Sequence, residues 1–278
     1  MGLFKTTPEW LRDFQFWVRR KKAGLPNSKV SNFDEQNIID KYVDRLGITN
    51  RTVVDIGAGD GIRSSNTYHL FTSGWRGVGL EVDEAKIRRL TKTYRPFPDV
   101  AASGTKISLD NATEVLSSFS IEPEFGVLSL DIDGNDYWVL DAIFTRFRPR
   151  LVVSEYNEKI PPPIGFVVEY DPEFQLRHHF FGYSIAKLKD LLDKYGYVLL
   201  EVEYNNVFIA PEEIAGGYSQ DIVEAYRSGY VDRPDRKDKF PGNANMEPLQ
   251  TLDPAEAVKF LENFFDGLEG KYQLELDH

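Results

Sequence analysis

The chain has no cysteine in its 278 residues. That single absence excludes disulfides, thiolate metal sites and cysteine nucleophiles. No apolar run is long enough to span a bilayer, and Met1 to Pro8 lack the apolar stretch of a secretory signal. A cytoplasmic protein without integral membrane association is therefore expected. Basic charge is also in deficit, with 33 Lys and Arg against 44 Asp and Glu, a formal net charge of −11. Such a surface repels polyanions, so nucleic acid is not an expected partner and a small-molecule substrate is. One basic cluster, Arg19-Arg20-Lys21-Lys22, follows an amphipathic run from Trp10 to Val18. It reads either as a helix packed on the domain or a second subunit, or as an anionic or membrane-surface contact.

What is present suits a large packed domain: 41% of residues are hydrophobic and 13% aromatic. Between residues 51 and 211 strand-like and helix-like segments alternate, the pattern of a doubly wound α/β sheet. Seven strands are expected, at 52–56, 77–83, 100–108, 125–131, 151–156, 197–204 and 206–210, the last two forming an antiparallel edge pair. Helices are expected at 62–73, after Asp83, after Asp136 and at 184–195. Residues 157–182, through Pro161-Pro162-Pro163, read as a long irregular loop, and loops of that length commonly serve as lids. A helical N-terminal extension (1–50) and a helical C-terminal extension (212–278) flank the core. The last helix, with Ala257, Phe260, Leu261, Phe264 and Phe265 on one side, docks on the core or makes a homo-oligomer.

Strand one runs into Asp55-Ile56-Gly57-Ala58-Gly59-Asp60-Gly61. Glycines at alternate positions allow a tight turn that presents main-chain N–H groups to a ligand. A dinucleotide turn needs its third glycine one residue later, with the pyrophosphate on a helix N-terminus. Here carboxylates flank the glycines instead, a field that favours a cationic or zwitterionic ligand such as S-adenosylmethionine. Further acids fall at successive strand ends, where α/β sheets bind ligands: Glu81 and Asp83, Asp110-Asn111, Asp131 and Asp133, and Glu155. Glu81 is placed to take the hydroxyls of a ribose, and Asp110 with Asn111 to reach an adenine. For Asp83 and Asp110 a simple helix-capping role fits equally.

Over residues 52–210 the sequence resembles the class I S-adenosylmethionine-dependent methyltransferases. It looks closest to bacterial FkbM-like members, in Ser65-Asn66-Thr67, Gly74 to Gly77, Asp131-Ile132-Asp133-Gly134-Asn135-Asp136-Tyr137-Trp138 and Glu155-Tyr156-Asn157. The resemblance implies a Rossmann-like seven-stranded sheet and a cofactor site of Asp55, Gly57, Gly59, Asp60, Glu81, Asp110, Asn111 and Asp131. Similarity to catechol, caffeoyl-CoA and macrocin-type O-methyltransferases implies Mg²⁺ on Asp131, Glu155 and Asn157, although Tyr156 splits the last pair. Against the metal, Asp133 to Asp136 would merely cap a helix and Asn157 brace a loop. Candidate proton acceptors are Asp131, Asp133, His178 and His179; His69, inside a helix, and the terminal His278 are disfavoured. Loop aromatics Phe166, Tyr170, Phe174, Phe180 and Phe181 are candidates to close over a substrate. O-methylation of a small polar, sugar-like or natural-product acceptor is the implied activity. Metal-independent N- or carboxyl-methylation, an inactive cofactor-binding scaffold, and a nicotinamide dehydrogenase are the alternatives.

Overall fold

A computed structural model describes residues 30–276, together with Val18 and Lys21. Arg19, Arg20 and Lys22 of the basic cluster, most of the preceding amphipathic run and His278 lie outside the described residues. Within them, five parallel strands form one side of a sheet, with β3 at its edge: β1 (Thr52–Ile56), β2 (Arg76–Leu80), β3 (Val100–Ser103), β4 (Val127–Leu130) and β5 (Leu151–Glu155). Another strand, β6 (Ile164–Val168), stands apart from it, while β7 (Tyr197–Glu203) and β8 (Asn206–Pro211) complete seven strands in the order β3-β2-β1-β4-β5-β8-β7. The fold is α/β and Rossmann-like. Of the antiparallel edge pair, β8 lies inside against β5 and β7 takes the edge.

Alternation along the strands explains the two layers. Val54, Leu128 and Val152 face one side, where α4 (Ala112–Ser118), α5 (Asp136–Phe144) and α6 (Ile185–Tyr195) pack through Leu116, Leu140 and Leu188. Val53, Val127 and Val153 face the other, against Ile39 of α1 (Glu35–Arg45), Phe71 of α2 (Tyr68–Thr72) and Leu90 of α3 (Glu84–Tyr94). Strand order reverses between β1 and β4, and that is where an open α/β sheet leaves its crevice.

Four expectations are corrected. The helix expected at 62–73 is α2 alone, because residues 62–67 form turns, with Ser64 at φ 56°. The segment 157–182 contains β6, and the C-terminal region is not all helical. After α7 (Glu212–Ala215), α8 (Ile222–Tyr226), α9 (Arg236–Lys239) and α10 (Pro254–Phe264), it ends in strand β9 (Tyr272–Leu276), which pairs antiparallel with β6. Tyr272-Gln273-Leu274-Glu275-Leu276 has the period-2 pattern of a strand, but its partner lies about 100 residues earlier and no local turn announces it. Strand β3 is shorter than expected.

The β6–β9 pair supports a third core in which Phe166, Phe180, Phe265 and Ile160 are buried with Met246 and Leu261. Phe166 lies 5.5 Å from Phe265 and 5.7 Å from Tyr272, ring centre to ring centre. The C-terminal region is thus built into the fold through segment 157–182. Phe166→Ala should cost about 3–5 kcal/mol in urea denaturation, the range for a fully buried phenylalanine. A loss below about 1 kcal/mol would mean that the third core is not a cooperative part of the domain.

Candidate functional site

Beyond the ends of β1, β2 and β4 lies a cavity of about 620 Å³. Gly57, Gly59, Asp60, Glu81, Asp131 and Asp133 line it, with Asp55 and Ser129 at its floor. Gly57 has φ 84°, and a Cβ there would lie 1.7 Å from the Asp131 carbonyl oxygen. Its N–H and that of Ala58 both donate to Leu80 O at 3.0 Å, while Asp131 N donates to Ile56 O at 3.0 Å. The ends of β1, β2 and β4 are thereby tied into one surface.

The acids around the glycine turn are held individually. Asp55 is buried and accepts from Thr67 Oγ1 at 2.6 Å. Burial pushes its carboxyl up to about 6, opposed by hydrogen bonds from Thr67 and Ser129. Asp60 Oδ1 accepts from Ile62 N at 3.0 Å and Arg63 N at 2.8 Å. Glu81 is buried, with Oε2 accepting from Gly59 N at 3.0 Å and Oε1 from Asp83 N at 2.8 Å. Two backbone donors fix this carboxylate and leave further lone pairs for a ligand's hydroxyls. Asp83 caps α3, accepting from Ala85 N and Lys86 N.

The third strand end is arranged differently from the expectation. Asp110 is exposed and does not line the cavity. Asn111 accepts from Ser108 N and donates to Lys106 O, bracing the loop that brings Thr105, Lys106 and Ile107 to the wall.

At the end of β4, Asp136 accepts from Ile132 N and Gly134 N, both at 2.9 Å, and so closes the Asp131–Asp136 loop on itself. Burial raises its carboxyl to about 6. Asp133 adopts φ 57° and faces the cavity. Carboxylate oxygens of Asp131, Asp133 and Glu155 all lie within 4.8 Å of one another. Asp131 opens to the cavity, yet both it and Glu155 are pushed well above the carboxylate range, by poor hydration of the carboxyls first; repulsion comes second, from Asp136 and Asp133 on Asp131 and from Asp131 on Glu155. Glu155 Oε1 accepts from Asn205 Nδ2 at 2.7 Å, whereas Oε2 is buried without a partner.

Asn157 does not join this cluster. It is fully buried, and Nδ2 donates to His179 O (2.9 Å) and Phe181 O (3.0 Å) while Oδ1 faces Lys159 Nζ at 3.4 Å. It braces the loop, and Asp133 takes its place beside Asp131 and Glu155. The histidines lie away from the cavity lining: His178 is exposed, and His179 is buried with Nε2 2.8 Å from Asn245 Oδ1. Burial holds the His179 imidazole down at about 4. Of the loop aromatics, Phe174 lines the cavity; Phe166, Phe180 and Phe181 are buried.

Sequence reading missed two groups. Asn205 was legible only as a turn residue, and its hold on Glu155 depends on β8 lying beside β5. The cations Arg63, Lys86, Arg89 and Lys106 also line the cavity. They are scattered in sequence, and only the fold gathers them.

No sequence model of a known family matches the chain, and no curated protein sequence matches it. Among solved structures it is similar to an O-methyltransferase from Bacillus cereus in complex with SAH, at 17% identity and TM-score 0.45, covering 75% of this chain and 92% of that one. It is also similar to magnesium protoporphyrin IX methyltransferase from Synechocystis with bound SAM (12%, TM-score 0.40, 74% and 99%). A SAM-dependent methyltransferase from Aquifex aeolicus is a third (12%, TM-score 0.39, 70% and 97%). At these identities the likeness concerns the fold, and the functional reading rests on the cavity itself. Among the described residues no helix is long and apolar enough to cross a membrane.

The raised carboxyl of Asp55 has a consequence for stability. The folded state holds this proton more tightly than the unfolded chain, so ionising Asp55 costs stability as pH climbs from about 4 to about 6. Asp55→Asn should therefore gain on the wild type between pH 4.5 and pH 7 by on the order of 2 kcal/mol in urea denaturation. A difference independent of pH would show that Asp55 ionises normally.

Proposed function

We propose that the protein is an S-adenosylmethionine-dependent methyltransferase acting on an oxygen of a small polar acceptor. One observation carries this reading. The amides of Ile62 and Arg63, placed where a dinucleotide turn would offer N–H groups to a pyrophosphate, are already filled by Asp60 Oδ1. Helix α2 begins only at Tyr68, so no helix N-terminus stands at the turn. A doubly anionic cofactor would meet the Asp55 and Asp60 carboxylates at the turn, with the amides of Ile62 and Arg63 already taken. An aminoacyl sulfonium suits that field, and this disfavours the nicotinamide alternative.

In this reading the amino-acid end of the cofactor lies against Gly57, Gly59 and Asp60, and Glu81 takes the ribose hydroxyls. The adenine lies between Val82 and Ile107, in place of a contact to Asp110. Methyl transfer forms an O–CH₃ bond as the S–CH₃ bond breaks, and S-adenosylhomocysteine leaves as a neutral thioether. The acceptor's hydroxyl proton passes to a carboxylate, for which Asp131 is placed at the end of β4, with Asp133 beside it. A carboxyl raised from its usual range is a better matched acceptor near neutral pH than an ordinary one. The cavity is polar and of small-molecule size, which fits a sugar-like or natural-product acceptor.

A metal-assisted variant is favoured by the orphaned Glu155 Oε2. Oxygens of Asp131, Asp133 and Glu155 fit a hard divalent cation such as Mg²⁺, which when bound would lower the pKa of an acceptor hydroxyl. Activity abolished by EDTA and restored by Mg²⁺ would select this variant. Activity indifferent to chelation would select the metal-free route, including N- or carboxyl-methylation. Cofactor binding without transfer to a broad acceptor panel would leave an inactive scaffold.

Calorimetric titration with S-adenosylhomocysteine and with NAD tests the core claim. S-adenosylhomocysteine should bind and NAD should not, and tight NAD binding would overturn the assignment. Glu81→Ala should weaken S-adenosylhomocysteine by about 1–3 kcal/mol, the cost of leaving buried hydroxyls without an acceptor. Unchanged affinity would remove Glu81 from the ribose.

A further inference from the structure

Residues 171–174 cross the mouth of the cavity, and Pro172 and Phe174 form part of its wall. Three independent contacts hold them. Asn135 Nδ2 donates to Asp171 O at 2.7 Å, and Asp171 N returns a bond to Asn135 Oδ1 at 3.4 Å. Lys106 Nζ donates to Pro172 O from the opposite bank of the cavity and lies 3.6 Å from Glu173 Oε1. Phe174 is pressed against Gly134, where a Cβ would lie 2.3 Å from its Cδ1.

Gly134 has no positive φ, so its backbone does not require glycine. What requires a hydrogen there is the Phe174 ring. That ring in turn stacks on Phe180, 6.3 Å between centres and 24° between planes, and Phe180 is buried in the third core. Beyond Phe174 the strip loosens: Gln175, Arg177 and His178 are exposed, and Leu176 is 50% exposed. Gly134 and Asn135 belong to the same turn as Asp131 and Asp133, so one loop carries both the reacting-end carboxylates and the seat of the strip.

We propose that Phe174 is a specificity-determining wall of the cavity, seated on Gly134 and latched by Lys106, and that residues 171–174 must lift for a small-molecule ligand to exchange. Seated, the ring presents an apolar face beside Asp133. That arrangement selects an acceptor with one flat apolar face and hydroxyls on its edge. The identity of the ligand rests on the methyltransferase reading; the latch itself does not.

Two measurements separate them. Gly134→Ala and Lys106→Ala should each unseat the strip, and native-state trypsin cleavage after the exposed Arg177 should then accelerate about tenfold without ligand, because cleavage tracks the open population. The same variants should release S-adenosylhomocysteine several-fold faster in stopped flow, and urea denaturation should show Lys106→Ala as stable as the wild type. Unchanged cleavage and release in both variants would overturn the proposal, with Lys106→Ala deciding if Gly134→Ala does not fold. Faster cleavage in a protein whose wild type does not bind S-adenosylhomocysteine would keep the latch and remove the methyltransferase reading.

Discussion

The contact on which the rest of the site depends is the approach of the Gly57 backbone to the carbonyl of Asp131. Any side chain at Gly57 would overlap that oxygen, at 1.7 Å. Because the chain closes this distance, the turn after β1 and the loop after β4 share one surface. Two bonds to Leu80 O bring the end of β2 into the same plane. Asp60, Glu81, Asp131 and Asp133 therefore converge although up to 73 positions separate them in sequence. The strand-order reversal creates the crevice, and the missing side chain lets its two banks close on each other.

The second dependency runs through the C-terminal region. Strand β9 pairs with β6, and their core buries Phe180, on which Phe174 stacks. Glu158 is held from the same region, accepting from Asn243 Nδ2 at 2.7 Å, and Tyr226 donates to Glu158 O at 2.8 Å. These buried bonds follow immediately on β5 and its Glu155. Distal sequence thus fixes the far wall of a cavity whose floor is made by the first four strands, so damage in the third core should be felt at the site.

Much of this was legible because it follows from local pattern. Apolar runs placed the seven strands, and acids at five strand ends pointed to the crevice, although the cavity takes its acids from the ends of β1, β2 and β4. What was illegible depends on distance in sequence. Strand β9 has no meaning until β6 is found, and Asn205 becomes a partner of Glu155 only once β8 inserts beside β5. The expectation for Asn157 failed for a related reason. Pairing Asn157 with Glu155 across Tyr156 needs the strand to continue, but β5 ends at Glu155, and Asn157 turns inward to satisfy the carbonyls of His179 and Phe181. Helix expectation after Gly61 failed although Asp60 makes the amide contacts of a cap, because Ser64 turns to φ 56° and breaks the run before a helical turn can form.

Charge explains why the acids stay in place without unfolding the cavity. Asp60 and Glu81 are each held by two backbone N–H groups. Asp131 and Glu155 lack such donors, so they resist ionising together. The cavity thus has one side of firmly held carboxylates, suited to a permanently cationic ligand, and another of reluctant ones, suited to accepting a proton. Cations at Arg63, Lys86, Arg89 and Lys106 partly offset this field at the cavity lining. On the proposed methyltransferase reading, a sulfonium between the two groups would relieve repulsion on both, and its loss on methyl transfer would leave Asp131 and Glu155 again the stronger proton acceptors. In that reading the electrostatics favour taking up a charged cofactor and favour proton uptake as its charge disappears.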